Sequence, residues 1–307
     1  MSPLQEIAAR ITQGANASNL AALALMLALL LAPLLAGKVR LPSLVLFVLL
    51  GMVAGPHGLG LLGKQGTALA ALGELGLLYL MFTAGLELDL KQLARNKKVA
   101  LAFAALSFAL PFTAGLLGAL ALGYAALAAV LMGSNWGSHT LVTYPMLREM
   151  GINRSRPVAT VVGATAVTDT VALLVLAGVT VATRRNESFL VEGGEVVVGL
   201  ALLVVWNLMA LPWVARRFFG WVGADQAQRL VFGFVALLSG ALVAEAAGID
   251  GIVGAFFAGL GLGRAIPEQS ELMDRTQFLG KALLIPIFLV SVGVRLEPRV
   301  LVQPKTL

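Results

Sequence analysis

Asp169 sits in Gly163-Ala-Thr-Ala-Val-Thr-Asp-Thr-Val-Ala-Leu-Leu-Val-Leu-Ala177, a run otherwise made of small and apolar residues. Near the middle of a membrane-length run a carboxylate costs about 2.5 to 3.5 kcal/mol on insertion scales, so its presence points to a task. A carboxyl that can hold either a proton or a cation can exchange one for the other. The alternative is a structural Asp169, hydrogen-bonded to Thr165 or Thr168 as glue between helices. The preceding run contains Met132-Gly-Ser-Asn-Trp-Gly-Ser-His-Thr-Leu-Val-Thr-Tyr-Pro145, unusually polar for a continuous apolar helix. Gly133, Gly137 and Pro145 weaken a helix, while Ser134, Asn135, Ser138, Thr140 and Thr143 can satisfy the backbone groups that a break sets free. This pattern predicts a discontinuous helix, whose carbonyls and hydroxyls are the hard oxygen donors an alkali cation takes. A kinked, polar helix packed against its neighbours is the plainer reading. His139 is either a pH-responsive group or a satisfied structural donor. Glu74 and Lys281 are further charges inside apolar runs, read either as supporting charges or as snorkelling residues.

The elements that must position these residues follow from composition. Of the 307 residues 59% are hydrophobic and only 12% charged, the profile of a polytopic membrane protein. Cysteine is absent, which excludes disulfides, thiolate metal sites and iron–sulfur clusters. The net charge of +6 resides in short loops, so it is assigned to membrane orientation and not to nucleic acid. Measured against the roughly 17 to 25 residues a span needs, ten spans are expected, near 19–36, 43–62, 67–87, 98–122, 124–147, 157–182, 193–214, 228–247, 249–264 and 277–294. Lys38, Arg40, Lys91, Arg95, Lys97, Lys98, Arg148, Arg154, Arg156, Arg216, Arg217, Arg229, Arg264 and Arg275 then fall on one side, against half as many basic residues opposite. The positive-inside rule makes the richer side cytoplasmic and puts the N-terminus outside.

Residues 42–90 align without gaps on 250–298 at a constant offset of 208. Gly51 meets Gly259, Gly55 meets Gly263 and Gly85 meets Gly293. The matched spans are second and ninth, an odd separation, so the copies have opposite topology and the repeat is inverted. This divides the chain into a lead (1–18), a first copy of six spans (19–182), a linker helix (183–225) and a second copy (226–307) cut after three spans. Gly73 aligns with Lys281, which places Lys281 and Glu74 at nearly equivalent positions.

Phe82-Thr-Ala-Gly-Leu-Glu-Leu-Asp89, Ser138-His-Thr-Leu-Val-Thr-Tyr-Pro145, Thr168-Asp-Thr-Val-Ala-Leu-Leu-Val-Leu-Ala177, Gly251-Ile-Val-Gly-Ala-Phe-Phe-Ala-Gly259 and Pro286-Ile-Phe-Leu-Val-Ser-Val-Gly293 occur in this order. Together they resemble the second branch of the bacterial monovalent cation:proton antiporter family, which includes the potassium-efflux systems. The resemblance implies a thirteen-helix domain, a homodimer formed through a scaffold part, and an elevator-like movement of a core with crossed broken helices. It also implies that Asp169 is the ion- and proton-carrying aspartate. Many members place Asp, Asn or Gln before that aspartate, where this chain has Thr168. Members often continue into cytoplasmic regulatory domains.

The expected molecule is thus an all-α polytopic membrane protein with an inverted-repeat antiporter fold, about ten spans of thirteen, in a bacterial inner membrane. It is a transporter and not an enzyme, exchanging Na⁺ or K⁺ for protons, electroneutrally because a single carboxylate carries both. Asp169 and Thr168 with Ser138, His139 and Thr140 form the ion and proton site. No cofactor and no metal beyond the transported cation are expected. The rivals are a sodium-coupled organic-anion symporter of similar architecture and a non-transporting membrane sensor.

Overall fold

The computed structural model describes residues 17–39, 41–62, 66–87, 97–137, 201–247, 249–266 and 270–297, together with single helical positions between 161 and 199. Every regular element among the described residues is helical. They are α1 (Ala17–Val39), α2 (Ser43–Ala54), α3 (Gly66–Glu87), α4 (Lys97–Ala121), α5 (Ala126–Gly137), α6 (Ala201–Val222), α7 (Gln226–Ala246), α8 (Gly251–Gly263) and α9 (Glu271–Arg295). Among the described residues α1, α3, α4, α6, α7 and α9 are long and apolar enough to cross a membrane, whereas α2 and α8 are shorter. Leucines 101, 106, 110 and 117 all lie exposed along α4, an arrangement that lipid stabilises and water does not. The chain is a multi-pass membrane protein.

Two compact units share the chain: Met1–Leu80 with Gln277–Leu307, and Met81–Thr276. In the first unit Ala21, Leu25, Ala28 and Ala32 repeat at helical spacing and give α1 one buried stripe, packed with Leu46 and Phe47 of α2, Leu69 of α3, and Ile287 and Val290 of α9. Close approach of α2 and α9 depends on glycine. A methyl group on Gly51 would overlap the carbonyl of Val290, one on Gly55 would press on Val294, and one on Gly293 would overlap the carbonyl of Val48. Gly76 of α3 takes the Leu284 carbonyl in the same way.

In the second unit the end of α3 meets α8 by an equivalent set of contacts. Gly259 takes the carbonyl of Phe82, Gly263 that of Leu86, and Gly85 that of Phe256. Each pair matches one in the first unit by moving one partner 208 positions up the chain and the other 208 down. Gly240 of α7 crosses Gly254 of α8, where an added methyl would come 2.6 Å from the Gly254 carbonyl. Asp225 caps α7 by accepting from the N–H groups of Ala227 and Gln228, and Asp250 caps α8 by accepting from that of Ile252.

Two boundaries differ most from the sequence expectation, and the tenth span, expected from 277, begins at Glu271. The second span was expected to run to 62, but α2 ends at Ala54 and the chain turns through Gly55–Gly60, with the N–H of Leu59 donating to Val53 and that of Leu62 to Ala54. Leu62 is buried after the turn, so an apolar composition continues where the helix does not. The seventh span was expected at 193–214, but α6 continues to Val222, because Arg216 and Arg217 stop a hydrophobic run without stopping a helix. α6 and α9 also contain π-helical turns, Trp206–Ala210 and Gly280–Leu284, each ending two residues before a proline, Pro212 or Pro286. Proline has no N–H for the carbonyl four residues back and its ring crowds that group. A wider turn relieves the crowding, with Leu211 donating to Trp206 and Ile285 to Gly280, five residues back.

Candidate ion-binding region

Gly133 and Gly137 were expected to weaken the fifth span; α5 runs through Gly133 as regular helix and Gly137 is its last described residue. Their role in the structure is packing. A methyl on Gly133 would lie 2.7 Å from the Phe112 carbonyl, and one on Gly137 would lie 2.7 Å from the Phe108 ring, so these glycines admit α4. Phe108 and Phe112 stack at 5.4 Å and keep that face of α4 in place. Asn135 is on the exposed side of α5. α5 is uninterrupted as far as Gly137, the last described residue of the run. Ser138, His139, Thr140, Thr143 and Pro145 lie outside the described residues.

In the sixth run, described positions from 161 to 179 are helical, and Ala164, Thr168, Ala172 and Val179 are buried. Spacings of four and seven put these on one face. Thr168 is among the few buried polar residues, 3% exposed. Asp169 lies outside the described residues.

The two runs are joined by a specific bond. Ser134, 4% exposed, donates its hydroxyl to the carbonyl of Ala172 at 3.2 Å. Ser138 follows Ser134 by one helical turn of sequence, and Thr168 precedes Ala172 by one turn. The structure thus joins the end of α5 to the helical face that carries Thr168. Glu74 on α3 and Lys281, within the π turn of α9, both have exposed side chains.

Sequence reasoning passed over Asn207. It is fully buried in the π turn of α6, its Nδ2 donates to the Leu203 carbonyl at 3.0 Å, and its Oδ1 accepts no hydrogen bond among the described residues. Gly261 admits the main-chain carbonyl of Asn207, and Arg264 donates to that of Leu208 at 3.1 Å. Leu208 is four residues before Pro212, so the arginine supplies the donor the proline lacks. The available signal was a lone amide five residues ahead of a proline in an apolar run.

Residues 25–307 match the family model for the transmembrane sodium/hydrogen exchanger. Over 287 residues, 92% of this chain and 40% of the relative, the sequence is 36% identical to the Na⁺/H⁺ antiporter NhaS5 of Synechocystis. It is 30% identical to the probable Na⁺/H⁺ antiporter GerT of Bacillus cereus, covering 87% of this chain and 72% of that protein. To the Na⁺/H⁺-K⁺ antiporter GerN of Bacillus cereus it is 29% identical, covering 87% and 70%.

Proposed function

Because this chain belongs to the transmembrane sodium/hydrogen exchanger family, whose members are monovalent cation:proton antiporters, we propose that it exchanges Na⁺ or K⁺ for protons across a bacterial inner membrane. Asp169 binds either a proton or the cation, and competition for one carboxylate couples the two fluxes. Thr168 and the Ser138–Thr140 segment complete the cation shell with oxygens. Because one carboxylate serves both ions, exchange is electroneutral. The observation that carries this reading is the Ser134–Ala172 bond, which joins the two runs that supply the shell. Both cations remain in the proposal because relatives are named for Na⁺ alone and for Na⁺ with K⁺.

The architecture proposed around this site is an inverted repeat, with copies at 19–182 and from 226 onward, a linker helix at 183–225, ten spans in this chain and a break after Gly137. The paired glycine contacts support it: where residue i of one copy meets residue j of the other, a twofold relation between the copies requires the reciprocal contact. Gly51 on Val290 and Gly259 on Phe82 form such a pair, and Gly76 on Leu284 is a residue meeting its own counterpart. Movement is elevator-like and the unit is a homodimer, with the N-terminus outside. The chain spans 40% of the Synechocystis relative's length, which leaves a further regulatory region within the proposal.

The test is Asp169→Asn in the full-length protein, reconstituted in vesicles with a pH-sensitive dye inside. Cation-dependent proton movement disappears while the elution profile and thermal transition stay those of folded protein. Retained exchange would sink the reading.

A further inference from the structure

The hydroxyl of Ser134 has a backbone partner on a different helical run, the Ala172 carbonyl, and both ends of this bond are buried. A serine inside a helix usually bonds the carbonyl three or four residues back on its own helix. Ser107, Thr113, Ser239, Thr276 and Ser291 of this chain all do so. Ser134 reaches 38 positions along the sequence instead. An adjoining face of α5 is held against α4 through Gly133 and Gly137, so α5 is fixed on two faces at the turn that precedes Ser138.

We propose that Ser134 is a positioning residue for cation binding, tying α5 to the sixth run so that the two runs keep a fixed separation. This rests on the reading that Ser138–Thr140 and Thr168–Asp169 supply the cation shell. A proton needs only the carboxylate, whereas a cation needs oxygens from both runs at once. Loosening the tie therefore weakens the cation and leaves the proton unaffected.

The experiment compares Ser134→Ala and Ser134→Cys with the parent in the full-length protein, measuring exchange in vesicles against Na⁺ or K⁺ concentration at several pH values. Cysteine keeps the size of serine with a much weaker donor, so it maintains the packing if the alanine variant fails to fold. An ordinary hydrogen bond corresponds to roughly a three- to tenfold change in an equilibrium constant. The apparent KM for the cation rises by that factor in both variants while the maximal rate at saturating cation changes less. At a fixed, sub-saturating cation concentration, protons hold the carboxylate to higher pH, so the midpoint of the pH profile moves upward. Unchanged KM and midpoint in the folded variants, or a loss of rate alone, overturns the proposal. Asp169→Asn run in parallel separates the two ideas, because exchange surviving in that variant removes the site itself.

Discussion

Leu208, Pro212 and Arg264 illustrate how one missing N–H is answered from another helix. Pro212 cannot donate to the Leu208 carbonyl, and Arg264 donates there instead at 3.1 Å. Arg264→Met should cost about 1 kcal/mol of unfolding free energy, since the group lost is a charged donor at an exposed position. Pro212→Ala returns an N–H to the helix, so the same arginine change made on that background should cost less. A double-mutant cycle by thermal or denaturant unfolding in detergent is expected to show coupling of at least about 0.5 kcal/mol. Additive effects would mean the arginine does not serve that carbonyl. At this scale the sequence disclosed residue types and not partners. Ser134 read as one of several hydroxyls able to satisfy freed backbone, and only the packing of two runs 38 positions apart selects Ala172.

Helix crossings in this chain are set by glycine meeting carbonyl. In lipid no hydrophobic gain distinguishes one apolar helix surface from another, so close backbone approach and dispersion decide which helices pair. Gly51→Ala and Gly259→Ala, which correspond at the 208-residue offset, each force backbone apart and should destabilise by roughly 1 to 3 kcal/mol. Gly37→Ala and Gly118→Ala have no atom within 4 Å of the added methyl and should be neutral, or stabilising by about 0.4 to 1 kcal/mol. Thermal transitions of the four variants in detergent measure the contrast, and equal losses would refute the crossing geometry. Helix ends were the least legible feature at this scale. Apolar content carried the second expected span past Ala54, although Gly55-Pro-His-Gly58 turns the chain, and charge ended the seventh early, although α6 runs on to Val222. Hydropathy measures transfer to lipid, not hydrogen-bond continuity. The π turns had a readable signal in Pro212 and Pro286, because a proline inside a membrane helix frees a carbonyl that must be answered.

For the whole molecule, the proposed orientation, with the N-terminus outside, rests on loop charge. No cysteine occurs among these 307 residues, so a single introduced cysteine is the one thiol within them to label. Lys64→Cys is expected to react with an impermeant maleimide added to intact cells, and Arg217→Cys only after permeabilisation. The reverse pattern would invert the topology and place the N-terminus inside. That proposal needs no coordinates, because it uses only loop charge and the expected spans.

Membrane class, helical content and the 208-residue register were determined by the sequence itself, since each depends on composition or on residue spacing along one chain. Tertiary structure decided which helix each glycine meets. Gly51 of α2 packs on Val290 of α9, and Gly259 of α8 packs on Phe82 of α3, each within its own unit. No spacing rule yields those pairings. All these helices are apolar, lipid competes equally for every face, and the choice falls to whichever pair of surfaces lets backbone meet backbone.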